Sequence, residues 1–108
     1  FVRSMYKKPK SDEYVSRITA ASLRTPSNTA LALLMGLVTT DLQSALRKID
    51  RPTLIFVGGH SPDHTAKLAM QKQIPGAQIE VYEDLGHALF ADEPTRFNER
   101  LEKFLRQP

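Results

Sequence analysis

The chain has three histidines and no cysteine. Imidazole, hydroxyl and carboxylate groups are therefore left to do chemistry, and disulfides and thiolate metal sites are excluded. The densest cluster of such groups is Gly59-His60-Ser61-Pro62-Asp63-His64. It nearly spells G-x-S-x-G, the strained strand-to-helix turn that exposes a serine nucleophile. Two residues argue against that reading. The last position of the turn must be small because the backbone packs tightly there, and here it is Asp63. The residue after the nucleophile must give its backbone N–H to the oxyanion, and Pro62 has none to give. Ser61 is expected instead to cap a helix whose first residue is Pro62. Ser4, Ser11, Ser16, Ser22, Ser27 and Ser44 have no such context. His60 and His64 are spaced as two metal ligands on one helix face would be. A helix opened by Ser61-Pro62 leaves His60 outside it, and no carboxylate spacing supports a site, so no metal is expected. The third histidine, His87, follows Gly86 in the stretch from Asp84 to Phe90 that reads as a loop. Taken alone, it is an ordinary loop histidine.

The elements that would position these groups fall into two halves that meet near Asp50. Ser11 is a plausible N-cap with Asp12 and Glu13 in the first turn, and Tyr14, Ile18 and Ala21 share one helical face. Thr25-Pro26 restarts a helix carrying Ala30, Leu31, Leu33, Leu34 and Leu37, with Gly36 as a candidate stop. That helix is apolar on most sides and should be covered. Thr40 can cap a third, with Leu42, Ala45 and Leu46 inward. In the second half, Pro52 to Val57 reads as a strand buried on both faces. A helix with Ala66, Ala69 and Met70 on one side follows. Pro75-Gly76 turns the chain into the alternating strand Gln78 to Tyr82. Asp92 then caps a last helix with Phe97, Leu101, Phe104 and Leu105 on one face. Strand, helix, strand, helix implies two parallel neighbours. Two strands are few for a parallel sheet, so the segment is expected to complete a larger one.

Four pieces in order resemble the end of the α/β-hydrolases: Ile49 to Gly58, Ile74 to Tyr82, Leu85-Gly86-His87-Ala88, and Glu93-Pro94 through Phe104-Leu105. The likeness is to the esterase, lactonase and cofactor-free haloperoxidase branch. It implies an α/β fold, residues 49–108 forming the last strand–helix–strand–helix of the core parallel sheet and residues 1–48 part of a helical cap. It also implies that His87 is the general base, since an imidazole titrates near neutrality and can take a serine proton and return it. Gly86 lets the backbone turn closely beside it. The family places its acid just after the preceding strand, in a Gly-x-x-Asp pattern. Here that loop is about three residues short, and Asp63 is the nearest carboxylate. Asp63 could orient the imidazole or simply favour the helix dipole; an acid from an earlier strand is a further alternative. Asp84 lies three residues before His87.

The resemblance implies a nucleophile outside these residues, supplied by the upstream part of the same fold. It implies no cofactor and a small apolar ester, lactone or similar substrate, with Leu34, Met35 and Leu37 as candidate pocket residues. A non-catalytic ligand-binding or interaction domain is the competing expectation, favoured by the missing standard acid. The net charge is +3. Arg3, Lys7, Lys8 and Lys10 form a loose basic stretch that reads as solvated surface; no nucleic-acid partner is expected. The longest apolar run, Ala30 to Val38, is too short for a bilayer, and no secretory signal is visible. The cytosol is the default expectation. Oligomeric state leaves no mark in the sequence.

Overall fold

The computed structural model describes residues 2–107. After a 3-10 turn, Val2–Met5, come α1 (Asp12–Ser22), α2 (Ser27–Thr39) and α3 (Gln43–Leu46). The rest runs β1 (Leu54–Gly58), α4 (His64–Gln73), β2 (Gln78–Tyr82), α5 (Leu89–Asp92) and α6 (Pro94–Leu105). None of the described helices is long and apolar enough to cross a membrane.

The strands are parallel, Leu54 opposite Gln78 and Gly58 opposite Tyr82. Side chains alternate across the sheet, which splits the core in two. Ile55 and Ile79 point to one face and pack with Ile74, Ala77, Met70, Leu46 and Ile49. Phe56 and Tyr82 point to the other and pack with Leu85, Leu89 and Phe97. The Phe56 and Phe97 rings lie 4.4 Å apart. Full burial of a side chain such as Ile74, Leu85 or Leu89 stabilises the fold by about 1.5–3 kcal/mol. Arg100 ties α6 to β2 through Glu80 at 3.1 Å and Gln78 at 2.7 Å. Burial of β1 is complete only at Ile55, Val57 and Gly58, while Leu54 and Phe56 are half-buried. Among the described residues β1 has one strand neighbour, β2, and its other edge carries no strand.

Helix ends depart from the sequence expectation in an instructive way. Ser11 does cap α1, its Oγ accepting from the Tyr14 N–H at 3.2 Å. Thr25 does not cap α2: the helix opens at Ser27 with Pro26 in the cap position, and it runs through Gly36 to Thr39. Asp41, not Thr40, caps α3, its carboxylate accepting from Gln43 and Ser44 N–H. The Thr40 hydroxyl instead donates back to the Gly36 carbonyl. Of Leu42, Ala45 and Leu46, only Leu46 is half-buried. Asp92 does not cap α6. It ends α5, and Oδ2 accepts from the Lys7 N–H at 2.7 Å and the Lys8 N–H at 3.3 Å. Lys10 Nζ lies 2.9 Å from Oδ1. The basic stretch is thus spent partly on Asp92, and Lys8 pairs with Glu93.

Candidate active site

Two loops meet at the ends of the parallel strands. One, residues 59–63, joins β1 to α4. The other, residues 83–88, joins β2 to α5. They are stitched by the Gly59 N–H to the Tyr82 carbonyl at 2.8 Å and the His60 N–H to the Leu85 carbonyl at 2.9 Å. Their approach requires glycine. A β-carbon at Gly58 would overlap the Gly86 carbonyl oxygen and come within 2.6 Å of that of Leu85. From the other side, the Ala88 N–H donates to the Met5 carbonyl at 2.8 Å. The Asp92 anchor holds the same N-terminal segment in place.

This framework brings together His87 and Asp63, both expected in the site, and Ser61, expected only as a helix cap. His87 Nδ1 faces Asp63 Oδ1 at 3.9 Å. Between them sits Ser61, its Oγ hydrogen-bonded to Asp63 Oδ1 and 3.4 Å from His87 Nδ1. Ser61 is buried, 6% exposed. The His87 side chain is 46% exposed and lines a cavity of about 120 Å³ with Ser4, Met5 and Pro62. The expectation that Ser61 caps a helix at Pro62 is corrected. The helix begins at His64, Asp63 holds the cap position, and neither Asp63 nor Ser61 caps it by side chain. The Ser61 hydroxyl is held by Asp63 and turned toward the imidazole, away from the helix N–H groups it would have to accept from.

Burial pushes the Asp63 carboxyl up. The hydrogen bond from Ser61, the hydrogen bond and charge of Lys67, and the charge of His87 outweigh it and hold Asp63 below the ordinary carboxylate value. Lys67 Nζ is 3.1 Å away, one helical turn on. Asp63 is therefore an anion at neutral pH, as an imidazolium partner must be. Asp84 is exposed and its charge falls on Lys8. His64 Nδ1 lies 3.2 Å from the Gly58 carbonyl, so this ring is held by backbone. Among the described residues, no three His, Asp or Glu side chains are grouped to hold a metal ion. Leu34, Met35 and Leu37 are 57%, 51% and 61% exposed on α2, and the structure does not bring them to the cavity beside His87.

A parallel β–α–β unit with helices on both faces, and an imidazole in the loop after the second strand, is an α/β layer. No protein-family model matches the chain, and no curated protein matches it significantly. Solved structures do. An esterase from Exiguobacterium antarcticum superimposes with a TM-score of 0.82 at 25% identity, over 95% of this chain and 39% of that one. A bromoperoxidase from Bacillus anthracis gives 0.89 at 21% identity, over 99% and 42%. Est816, described as an N-acyl homoserine lactone degrading enzyme, gives 0.65 at 24% identity, over 88% and 40%. The chain has the fold of the C-terminal part of an α/β-hydrolase. It spans about two fifths of the length of the structures it matches.

Proposed function

We propose that the chain provides the base side of a serine-type hydrolase acting on a small apolar ester or lactone. His87 takes the proton of a serine that lies outside these 108 residues and returns it to the leaving group. Asp63 stabilises the imidazolium formed in between. The observation that supports this reading is the pairing of ring and carboxylate: Nδ1 is turned to an anionic Asp63, and the ring also lines an open cavity. Nε2 is then the nitrogen through which the proton moves. The esterase and lactone-degrading enzyme among the structural neighbours support the substrate class. The helices α1–α3 are proposed as cap, with Leu34, Met35 and Leu37 contacting the apolar part of the substrate.

Two measurements test the proposal. The purified chain should not turn over p-nitrophenyl acetate, because Ser61 is committed to Asp63 and is followed by Pro62. Turnover that Ser61→Ala removes would overturn the assignment of roles. In a protein that carries this chain together with the nucleophile, His87→Ala should lower kcat by about 10²–10⁴-fold with little change in KM. Undiminished kcat would remove His87 from the mechanism.

A further inference from the structure

Ser61 is buried, does not cap α4, and precedes a proline that removes the oxyanion donor a nucleophile would need. A buried hydroxyl nonetheless has its hydrogen-bonding capacity satisfied. We infer that Ser61 is a positioning residue whose hydroxyl bridges Asp63 to His87, donating to the carboxylate and accepting from Nδ1–H, so that Nε2 is left bare to act as the base. The inference deepens the proposed role of His87 and rests on it.

The direction of each bond follows from the donors available. An ionised carboxylate only accepts, so the Ser61 proton goes to Asp63 Oδ1. The serine oxygen then presents only lone pairs to the ring atom 3.4 Å away. A bare Nδ1 would set two acceptors against each other; an Nδ1–H turns the same geometry into a hydrogen bond. Direct contact between Asp63 and the ring, at 3.9 Å, is beyond hydrogen-bonding range. The serine thus spans the gap that the short loop after β1 leaves between acid and imidazole. Its place is fixed by the backbone. The Ser61 N–H donates to the Gly58 carbonyl at 3.0 Å, and its own carbonyl accepts from the His64 N–H at 3.0 Å. A neutral histidine in water favours the Nε2–H tautomer, so holding Nδ1–H is a task the site has to perform.

The tautomer can be read without turnover. The full chain, uniformly labelled with ¹⁵N, is studied by long-range ¹H–¹⁵N correlation at about pH 8.5, where an ordinary histidine is neutral. His87 is assigned by its loss in His87→Gln. The expected result is Nδ1–H at His87, a shift to mainly Nε2–H in Ser61→Ala, and recovery of Nδ1–H in Ser61→Thr. The backbone amide signals of Val57 and Val81 show whether the parallel sheet survives each change. Nε2–H in the unaltered chain overturns the inference, and this needs no variant to fold. So does an Nδ1–H that persists in a folded Ser61→Ala. Either outcome would leave the kcat loss in His87→Ala standing. Undiminished kcat in His87→Ala would instead sink the base assignment, whatever the tautomer.

Discussion

The N-terminal helices and the strand–helix half differ in what they do with apolar residues. α2 is the more apolar segment, yet Leu31, Leu33, Leu34, Leu37 and Val38 are each at least 57% exposed. None of α1, α2 or α3 contains a buried residue. Among the described residues, all that are fully buried lie between Ile55 and Asp92. Apolar content alone therefore does not make the core. The second half buries its side chains because two strands, two loops and two helices constrain each other at once. The first half is built from helices whose hydrogen bonds are all local, and helices of this length are marginal without packing. The candidate site follows that division: His87, Asp63 and Ser61 all sit where backbones interlock.

One substitution, made in each half, should have opposite signs. Gly58→Ala would drive a methyl group into the Gly86 and Leu85 carbonyls. Backbone cannot swing aside as a side chain does, so a loss of about 3 kcal/mol or more is expected. It should separate the two loops and disturb the His87 environment. At Gly36 in α2, a methyl group would meet nothing within 4 Å. Gly36→Ala should instead stabilise the helix by about 0.5–1 kcal/mol. Urea midpoints and helical circular dichroism measure both. A Gly58→Ala chain as stable as the parent would mean that the loops are not interlocked.

The second half is also the more readable one, and physics says why. Pro52 and the two glycines bound an apolar run, Gln78 to Tyr82 alternates, and parallel pairing follows from the order of elements. Each of these signals lies within a few residues. Ser61 and Asp92 mislead for the same reason. A short polar side chain just before a helix is a good cap by every local rule, and the alternative partners are remote. Asp92 binds backbone 85 residues away, and Ser61 faces an imidazole 26 residues on. Such contacts leave no periodicity. The Gly-His loop singles out His87, while the place of Asp63 after β1 leaves it between orienting acid and helix-dipole partner. Neither signal marks the serine between them.

The aspartates offer a second contrast. The Asp92 side chain is fully buried, whereas that of Asp12, paired with Arg3, is 90% exposed. Asp92→Asn should cost about 3 kcal/mol, because it leaves Lys10 and two backbone N–H groups poorly matched. Asp12→Asn should change stability by no more than about 0.5 kcal/mol. Burial pushes the Asp92 carboxyl up, but Lys10 and the Lys7 and Lys8 N–H groups more than offset this and hold it low. A lowered carboxyl favours the native state above the ordinary carboxylate value of about 4, and this contribution fades as pH falls through the lower folded value. Urea midpoints at about pH 6 and about pH 3 should therefore differ less in Asp92→Asn than in the parent. Equal acid sensitivity in the two would place the linkage elsewhere.

The smallest effect on stability is expected where the apolar residues are most numerous. Leu34 and Leu37 expose more than half of their surface, so truncation removes little burial. Alanine is also the better helix former, which offsets part of what is lost. Leu34→Ala and Leu37→Ala should each shift stability by less than about 0.5 kcal/mol, far from the roughly 2–5 kcal/mol typical of a core leucine. In a protein that carries the chain and turns over an apolar ester, the same substitutions should raise KM several-fold while kcat stays close to the parent's. A stability loss above about 1 kcal/mol would show that α2 packs as the second half does, because an exposed leucine has no burial of that size to lose.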